Sequence, residues 1–281
     1  YYQLIWQKKM ELIETIAHAK ETGFEVIEFI TLPGDTFQER EDLAKRLKEE
    51  ADKQDIEINT YAVSADFLYG GETGSIKDEV DKLKEELKLA KILGAKAMRH
   101  DVAHGINYEK DPHANYFTVV GRMAEGIREV TNYAASMGIK TMTENHGFFS
   151  QDSERVEALV QAVDNTNFGV LMDMGNFLCA DEDPRKAFDR LLPYAFHVHA
   201  KDFLFKPGSE MSPGDGLITT RGANYLRGTV IGHGVVPVYH LVQMLKHRDY
   251  KGDLSVEFEG WENPLQAIPA SYAYLRACIE A

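Results

Sequence analysis

The chain has 281 residues, with 45 acidic and 31 basic side chains and a formal charge of −14. Its 44% hydrophobic and 27% charged content is that of a folded globular protein. The acidic balance argues against phosphate-backbone binding, which needs clustered Lys and Arg, and no apolar run approaches the roughly 18 residues of a membrane span.

At roughly 150 residues per domain the length suggests two domains, yet an α/β barrel uses about 250 residues as one. No linker-like stretch interrupts the sequence, so one domain over residues 1–281 is expected. Two cysteines, Cys179 and Cys278, exclude a disulfide framework and point to a reducing, cytoplasmic setting. The chain opens at Tyr1-Tyr2-Gln3 with no initiator Met and no signal-like segment, so a preceding piece is expected.

In chain order one pattern recurs: a charged amphipathic stretch, a Gly, then a β-rich run. Gly23 precedes Glu25–Ile30, Gly94 precedes Ala95–His100, Gly138 precedes Lys140–His146, and Gly252 precedes Leu254–Glu259. Gly just past a helix takes the left-handed conformation at little cost. Further strands are expected at Glu57–Val63, Phe168–Met174 and Ala195–Lys201. Helices are expected near Lys8–Lys20 and over Phe37–Lys53, Ser75–Leu93, Ala114–Ser136 and Ser153–Val163. Ser75 reads as a helix cap, and Leu83, Leu87 and Ala90 form an apolar stripe at helical spacing. Seven strands separated by helix-length sequence predict a parallel (β/α)8 TIM barrel whose first strand is truncated at the N-terminus. An open doubly wound sheet is the alternative, but its nucleotide-binding forms need a Gly-rich turn that is absent. The irregular stretch Phe203–Val236 follows the Ala195–Lys201 strand and is expected at the C-terminal face, where barrel active sites lie.

The ends of the last four strands carry the chemistry. They read Thr143-Glu144-Asn145-His146, Met172-Asp173-Met174-Gly175-Asn176, His197-Val198-His199-Ala200-Lys201-Asp202 and Val256-Glu257-Phe258-Glu259. Side chains alternate faces along a strand, so Glu144 and His146 share a face. His197, His199 and Lys201 do likewise, as do Glu257 and Glu259. One such residue alone reads more readily as a strand cap. Four coordinating types on four successive strands read better as a metal site, because three carboxylates in one pocket need a counter-charge. The mixed oxygen and nitrogen donors suit Mn²⁺, Mg²⁺, Zn²⁺, Fe²⁺ or Co²⁺.

These Glu-Asn-His, Asp-Met-Gly-Asn, His-Ala-Lys-Asp and Glu-Phe-Glu segments resemble the xylose-isomerase-like TIM-barrel superfamily, over about Lys8–Ile279. In its tagatose/psicose 3-epimerase branch the resemblance implies one divalent metal, Mn²⁺ foremost, on Glu144, Asp173, His199 and Glu257, selecting His199 over His197. It implies isomerisation or epimerisation of a keto sugar or sugar phosphate through an enediolate, with Glu144 and Glu257 moving the proton. His146 is a further candidate base, since a histidine titrates near working pH; a supporting hydrogen bond is its alternative. Lys201 is a candidate for holding a substrate oxygen, or equally an ion pair with Asp202 or Glu259. The multi-metal endonucleases of the superfamily use further His ligands. Asn176 stands where one would be, and Tyr61–Val63 supplies none, which argues against DNA repair.

His100, Arg221, Arg227, His233 and Glu259 are candidate substrate contacts. The arginines suit a carboxylate, phosphate or phenolate, although an Arg on a loop more often makes a surface ion pair. The loop Thr219–Gly234, with Glu-Asn-His-Gly-Phe-Phe, is also similar to the metal-bearing α subunit of C-glycoside deglycosidases. That similarity implies carbon–carbon cleavage of a 3-keto C-glycoside with His146 as base. A catalytically silent sugar- or partner-binding barrel is a third reading. The partner is expected to be a small sugar, with neither nucleic acid nor membrane, and assembly as a homo- or hetero-oligomer is open.

Overall fold

Seven parallel strands form the main sheet of the computed structural model, which describes all 281 residues. They are β1 (Val26–Ile30), β2 (Glu57–Val63), β3 (Ala97–His100), β4 (Lys140–Glu144), β5 (Phe168–Asp173), β6 (Ala195–Ala200) and, after an insertion, β10 (Leu254–Val256). Their spatial order is β1-β2-β3-β4-β5-β6-β10, so each strand but one lies beside its successor. The connecting helices are α3 (Phe37–Gln54), α4 (Ile76–Leu93), α5 (Tyr116–Ser136), α6 (Ser153–Val163), α7 (Pro184–Leu191) and α8 (Val238–His247), flanked by α1 (Tyr2–Trp6), α2 (Glu14–Thr22) and α9 (Pro264–Glu280). This is the nearly closed parallel α/β barrel that the sequence pattern predicts.

Local chemistry explains most boundaries. Gly23 and Gly94 end α2 and α4 at φ of 104° and 78°, a conformation that carries little penalty without a Cβ. The Ser75 hydroxyl accepts from the Asp78 amide and starts α4. Leu83, Leu87 and Ala90 are fully buried on its inner face; each leucine contributes about 2 kcal/mol by leaving water. Inside the barrel Ala97, Met142 and Leu171 form a small separate cluster under the polar mouth, with Phe196 packed against it.

The structure departs from the sequence reading in three places. Tyr1–Leu4, the only residues before the first predicted helix with any strand character, belong to helix α1 instead. The helix expected near Lys8–Lys20 starts only at Glu14, after Lys8 has taken a positive φ of 54°. The stretch Phe203–Val236 is not wholly irregular: β7 (Asp202–Lys206), β8 (Ile218–Thr219) and β9 (Tyr225–Thr229) make an antiparallel sheet in the order β7-β9-β8. It lies between β6 and α8 in sequence, over the C-terminal ends of the strands.

At the two ends of the sheet order, β1 and β10 are not paired with each other. A cavity of about 340 Å³ lies there, lined by Tyr2 and Trp6 of α1 and by inward residues of both strands, including Glu28. It reaches His199 and Glu257. No helix is long and apolar enough to cross a membrane.

Candidate metal centre

Strand alternation sets the third and fifth residues of β6 apart from the fourth and sixth. His197, His199 and, just beyond, Lys201 face inward, while Val198 and Ala200 pack outward in the main core. Register then aligns the strand ends: Asp173 lies beside His199, and His199 beside Ser255. Two residues past Ser255, Glu257 regains the inward face, its amide bonded to the Ala200 carbonyl at 3.0 Å. Glu144 ends β4 on the same face. One ligand atom from each of Glu144, Asp173, His199 and Glu257 falls within 4.8 Å of all the others.

The centre is mostly buried and heavily charged. His199 Nδ1 lies 3.0 Å from Glu257 Oε2 and 4.0 Å from Glu144 Oε1. Asp173 has no exposed surface. Its Oδ1 accepts the Gly175 and Asn176 amides, at 2.8 and 2.6 Å, and its Oδ2 is buried with no hydrogen-bond partner. Burial, with the Glu257 and Glu144 charges added, pushes the Asp173 carboxyl up to about 8 against the pull of Lys201. Burial also acts on Glu257, but there Lys201 and His199 outweigh it and hold the carboxyl well below its usual range. An orphaned oxygen among three carboxylates and an imidazole is a donor set that fits a divalent cation.

Lys201 is the resident cation. Only 2% exposed, it lies 3.0 Å from both Glu257 and Glu259 and 3.8 Å from Asp173. Burial works against its charge, yet these carboxylates keep the ammonium protonated far above neutrality. Its ion pairs are therefore with Glu257 and Glu259. Asp202 is engaged elsewhere, accepting the backbone amides of Gly232, Gly234 and Val236. Those bonds pin the turn that carries His233, whose side chain is exposed. Glu259 is fixed from behind: Gly228 of β9 packs its backbone against the Glu259 carbonyl, where any Cβ would collide.

His146 stands at the rim with its side chain half exposed, Nδ1 3.4 Å from Asp101. The Asp101 interaction, working against burial, raises the imidazole above its ordinary value. Asp101 in turn pairs with Arg99 at 2.9 Å, and Arg99 reaches Glu144 at 2.8 Å.

Three of the expected substrate contacts are placed differently. His100 does not line the mouth: it has no exposed surface and packs against Phe67 and Phe168. Arg99 takes the inward face of β3, so alternation sends its neighbour outward. Burial pulls the His100 imidazole down to about 4. Arg221 is paired with Asp152 at 2.7 Å and donates to the Phe148 carbonyl at 2.7 Å. It ties β8–β9 to the loop after β4. Arg227 lies over the Trp261 ring at 5.3 Å.

Several contributors were not singled out from sequence. Glu28 of β1 meets His197 Nε2 at 2.8 Å and His199 Nε2 at 3.1 Å, and these three also group closely enough to hold a cation. Arg99 and Asp101 are a second case. Asn176 donates to Glu144 at 3.0 Å and accepts from Lys201 at 3.3 Å. Asn145 stitches β4 to β5 through both Asp173 backbone groups. The signal available for Glu28 and Arg99 was a lone charge inside an otherwise apolar strand.

A family model described as xylose isomerase-like TIM barrel matches residues 16–278. An inosose dehydratase from Clostridium perfringens (strain 13 / Type A) is 28% identical over 152 residues, covering 54% of this chain and 50% of that protein. The chain thus spans about half the length of the curated relatives it matches. Among solved structures, D-psicose 3-epimerase with D-tagatose from Clostridium cellulolyticum H10 superposes with a TM-score of 0.72 at 16% identity, over 97% of this chain and 95% of that one. A xylose isomerase-like TIM barrel protein from Mycobacterium smegmatis in complex with magnesium gives 0.70 at 16% identity, over 95% and 88%. At these identities the structural likenesses carry the fold.

Proposed function

The chain belongs to the xylose isomerase-like TIM-barrel family, and on that premise we propose that it is a divalent-metal-dependent sugar isomerase or epimerase. The observation that carries the reading is the convergence of Glu144, Asp173, His199 and Glu257 within 4.8 Å, with Asp173 Oδ2 buried and without a hydrogen-bond partner. These four residues would hold the ion, with Mn²⁺ foremost among the candidates. A bound divalent ion supplies Lewis acidity to a sugar carbonyl and the hydroxyl beside it, which acidifies the adjoining C–H.

The protein's own groups do the rest. Glu144 and Glu257, on separate strands of the donor set, are the proposed pair for removing and returning the proton. Lys201 donates from Nζ to a substrate oxygen on which negative charge develops, and Glu259 keeps that ammonium in place. His146, backed by Asp101 at the rim, is a third acid–base group within the same mouth. Tyr2 and Trp6 border the cavity that reaches His199 and Glu257.

The inosose dehydratase relatives favour a second reading: the same C–H abstraction followed by loss of a neighbouring hydroxyl as water. Expulsion of a carbon-linked aglycone would be the lyase variant. One experiment separates them. Metal-loaded protein is incubated in D₂O with ketohexoses, a keto-inositol and a 3-keto C-glycoside. Deuterium at a single carbon of recovered sugar supports the isomerase reading. Loss of water, or free aglycone, replaces it with the corresponding elimination. Neither exchange nor elimination with any substrate contradicts all three.

A further inference from the structure

We propose that Glu28, on the first strand of the sheet, is a positioning residue that aims His199 at the metal. The inference rests on the metal reading above and deepens it. The two carboxylate oxygens of Glu28 are divided: one meets His199 Nε2 at 3.1 Å, the other meets His197 Nε2 at 2.8 Å and the Ser255 hydroxyl. His199 therefore gives Nε2 to Glu28 and turns Nδ1 toward Glu257 and Glu144. An imidazole with its proton held on one nitrogen by a carboxylate offers the other nitrogen's lone pair. A negative partner also raises that nitrogen's basicity.

The position of Glu28 between the sheet ends supports the same role. β1 and β10 are not paired through their backbones, yet the Glu28–Ser255 hydrogen bond spans them on the inner face. His197, 3% exposed, lies 3.0 Å from the same Ser255 hydroxyl. The carboxylate is thus gripped by β6 and β10, the two strands that carry His199 and lead to Glu257. Glu28 fixes the orientation of one donor and the approach of another without contacting the cation.

The Glu28–His197–His199 grouping also satisfies the spacing of a second cation site. Both Glu28 oxygens, however, already lie at hydrogen-bond distance from the imidazole nitrogens, so orientation is the use the geometry supports. Stoichiometry decides between the two.

The test is calorimetric binding of Mn²⁺ and Co²⁺ to the metal-stripped protein, wild type against Glu28→Leu and Glu28→Gln, with circular dichroism to verify folding. The expectation is one ion per wild-type chain, a 10- to 100-fold weaker Kd in Glu28→Leu, and an altered visible spectrum of bound Co²⁺. In Glu28→Gln, which keeps one acceptor oxygen, the loss should be smaller. That variant also serves if the leucine variant does not fold. A Kd within twofold of wild type in the folded variants, with an unchanged Co²⁺ spectrum, overturns the proposal while leaving the metal site standing. Two ions in wild type and one in Glu28→Leu overturn it in favour of a second site. No ion in wild type overturns the metal reading itself.

Discussion

The two halves of the main sheet share one strand geometry and divide the chemistry. β4, β5, β6 and the end of β10 present Glu144, Asp173, His199 and Glu257 to one point. β1 and β3 send Glu28 and Arg99 to the same centre, each gripping one of those four from behind. The signs are complementary: a carboxylate backs the histidine and a guanidinium backs a glutamate. A buried cluster of three carboxylates is costly unless its members are paired and oriented. The contrast teaches that the donor half is completed by charges the other half supplies.

The largest effect is expected in the donor half. Glu257→Gln and Glu144→Gln should each lower the rate of solvent deuterium exchange by about 10²- to 10⁴-fold, with folding retained. A rate within tenfold of wild type would remove the substituted residue from proton transfer. In the supporting half, Arg99→Leu strands Glu144 in a buried site and should destabilise the fold by about 3–5 kcal/mol in urea unfolding. Adding Glu144→Leu should recover part of that loss. A cost below about 1 kcal/mol for the single variant would mean that Arg99 is dispensable to the half it serves.

His100 tests which face of β3 belongs to the site. Its imidazole titrates at about 4 when folded and near 6.5 when unfolded. Between those values the unfolded chain binds more protons. Its contribution is therefore complete above about pH 6.5 and is lost as pH falls toward 4, by about 3 kcal/mol at most. Unfolding measured across that window should be less pH-dependent in His100→Leu. An identical acid limb would place His100 in contact with solvent. The smallest effect is expected outside both halves. Arg221→Ala should cost about 1 kcal/mol or less and leave the exchange rate within about threefold, because the guanidinium is occupied by Asp152 and Phe148. A larger kinetic loss would return Arg221 to the substrate.

Much of this was legible before the structure. The helix–Gly–strand rhythm located four of the seven strands and β-rich runs between helical stretches the other three, since helical periodicity and the left-handed glycine at Gly23 and Gly94 are local signals. The four residues that converge were legible because they sit at strand ends as polar breaks in β-rich runs. What escaped was non-local. Glu28 and Arg99 act on residues 171 and 45 positions away in sequence, and no period in the chain records that distance. Alternation on β3 gives two faces without saying which is inner, so His100 could not be told from Arg99. Strand β10 also stops at Val256, short of the expected Glu259. Glu259 instead lies against Gly228 of the inserted sheet, whose pairing a Gly- and Pro-rich sequence conceals.

The central claim is that the four-residue centre holds a divalent cation, and Asp173 gives the most direct measurement. Its carboxyl is raised to about 8 from about 3.9 when unfolded, so its own contribution to the metal-free fold is lost as pH rises from about 4 to 8, opposite in sign to that of His100. The measurement is Mn²⁺ titration of metal-stripped protein at pH 8, followed by calorimetry and by melting temperature, for wild type and Asp173→Asn. The account predicts one ion per wild-type chain with a rise in Tm. It predicts a metal-free Asp173→Asn protein that melts above metal-free wild type and gains nothing from Mn²⁺. Absence of binding to wild type, or equal affinity in the two proteins, would contradict it.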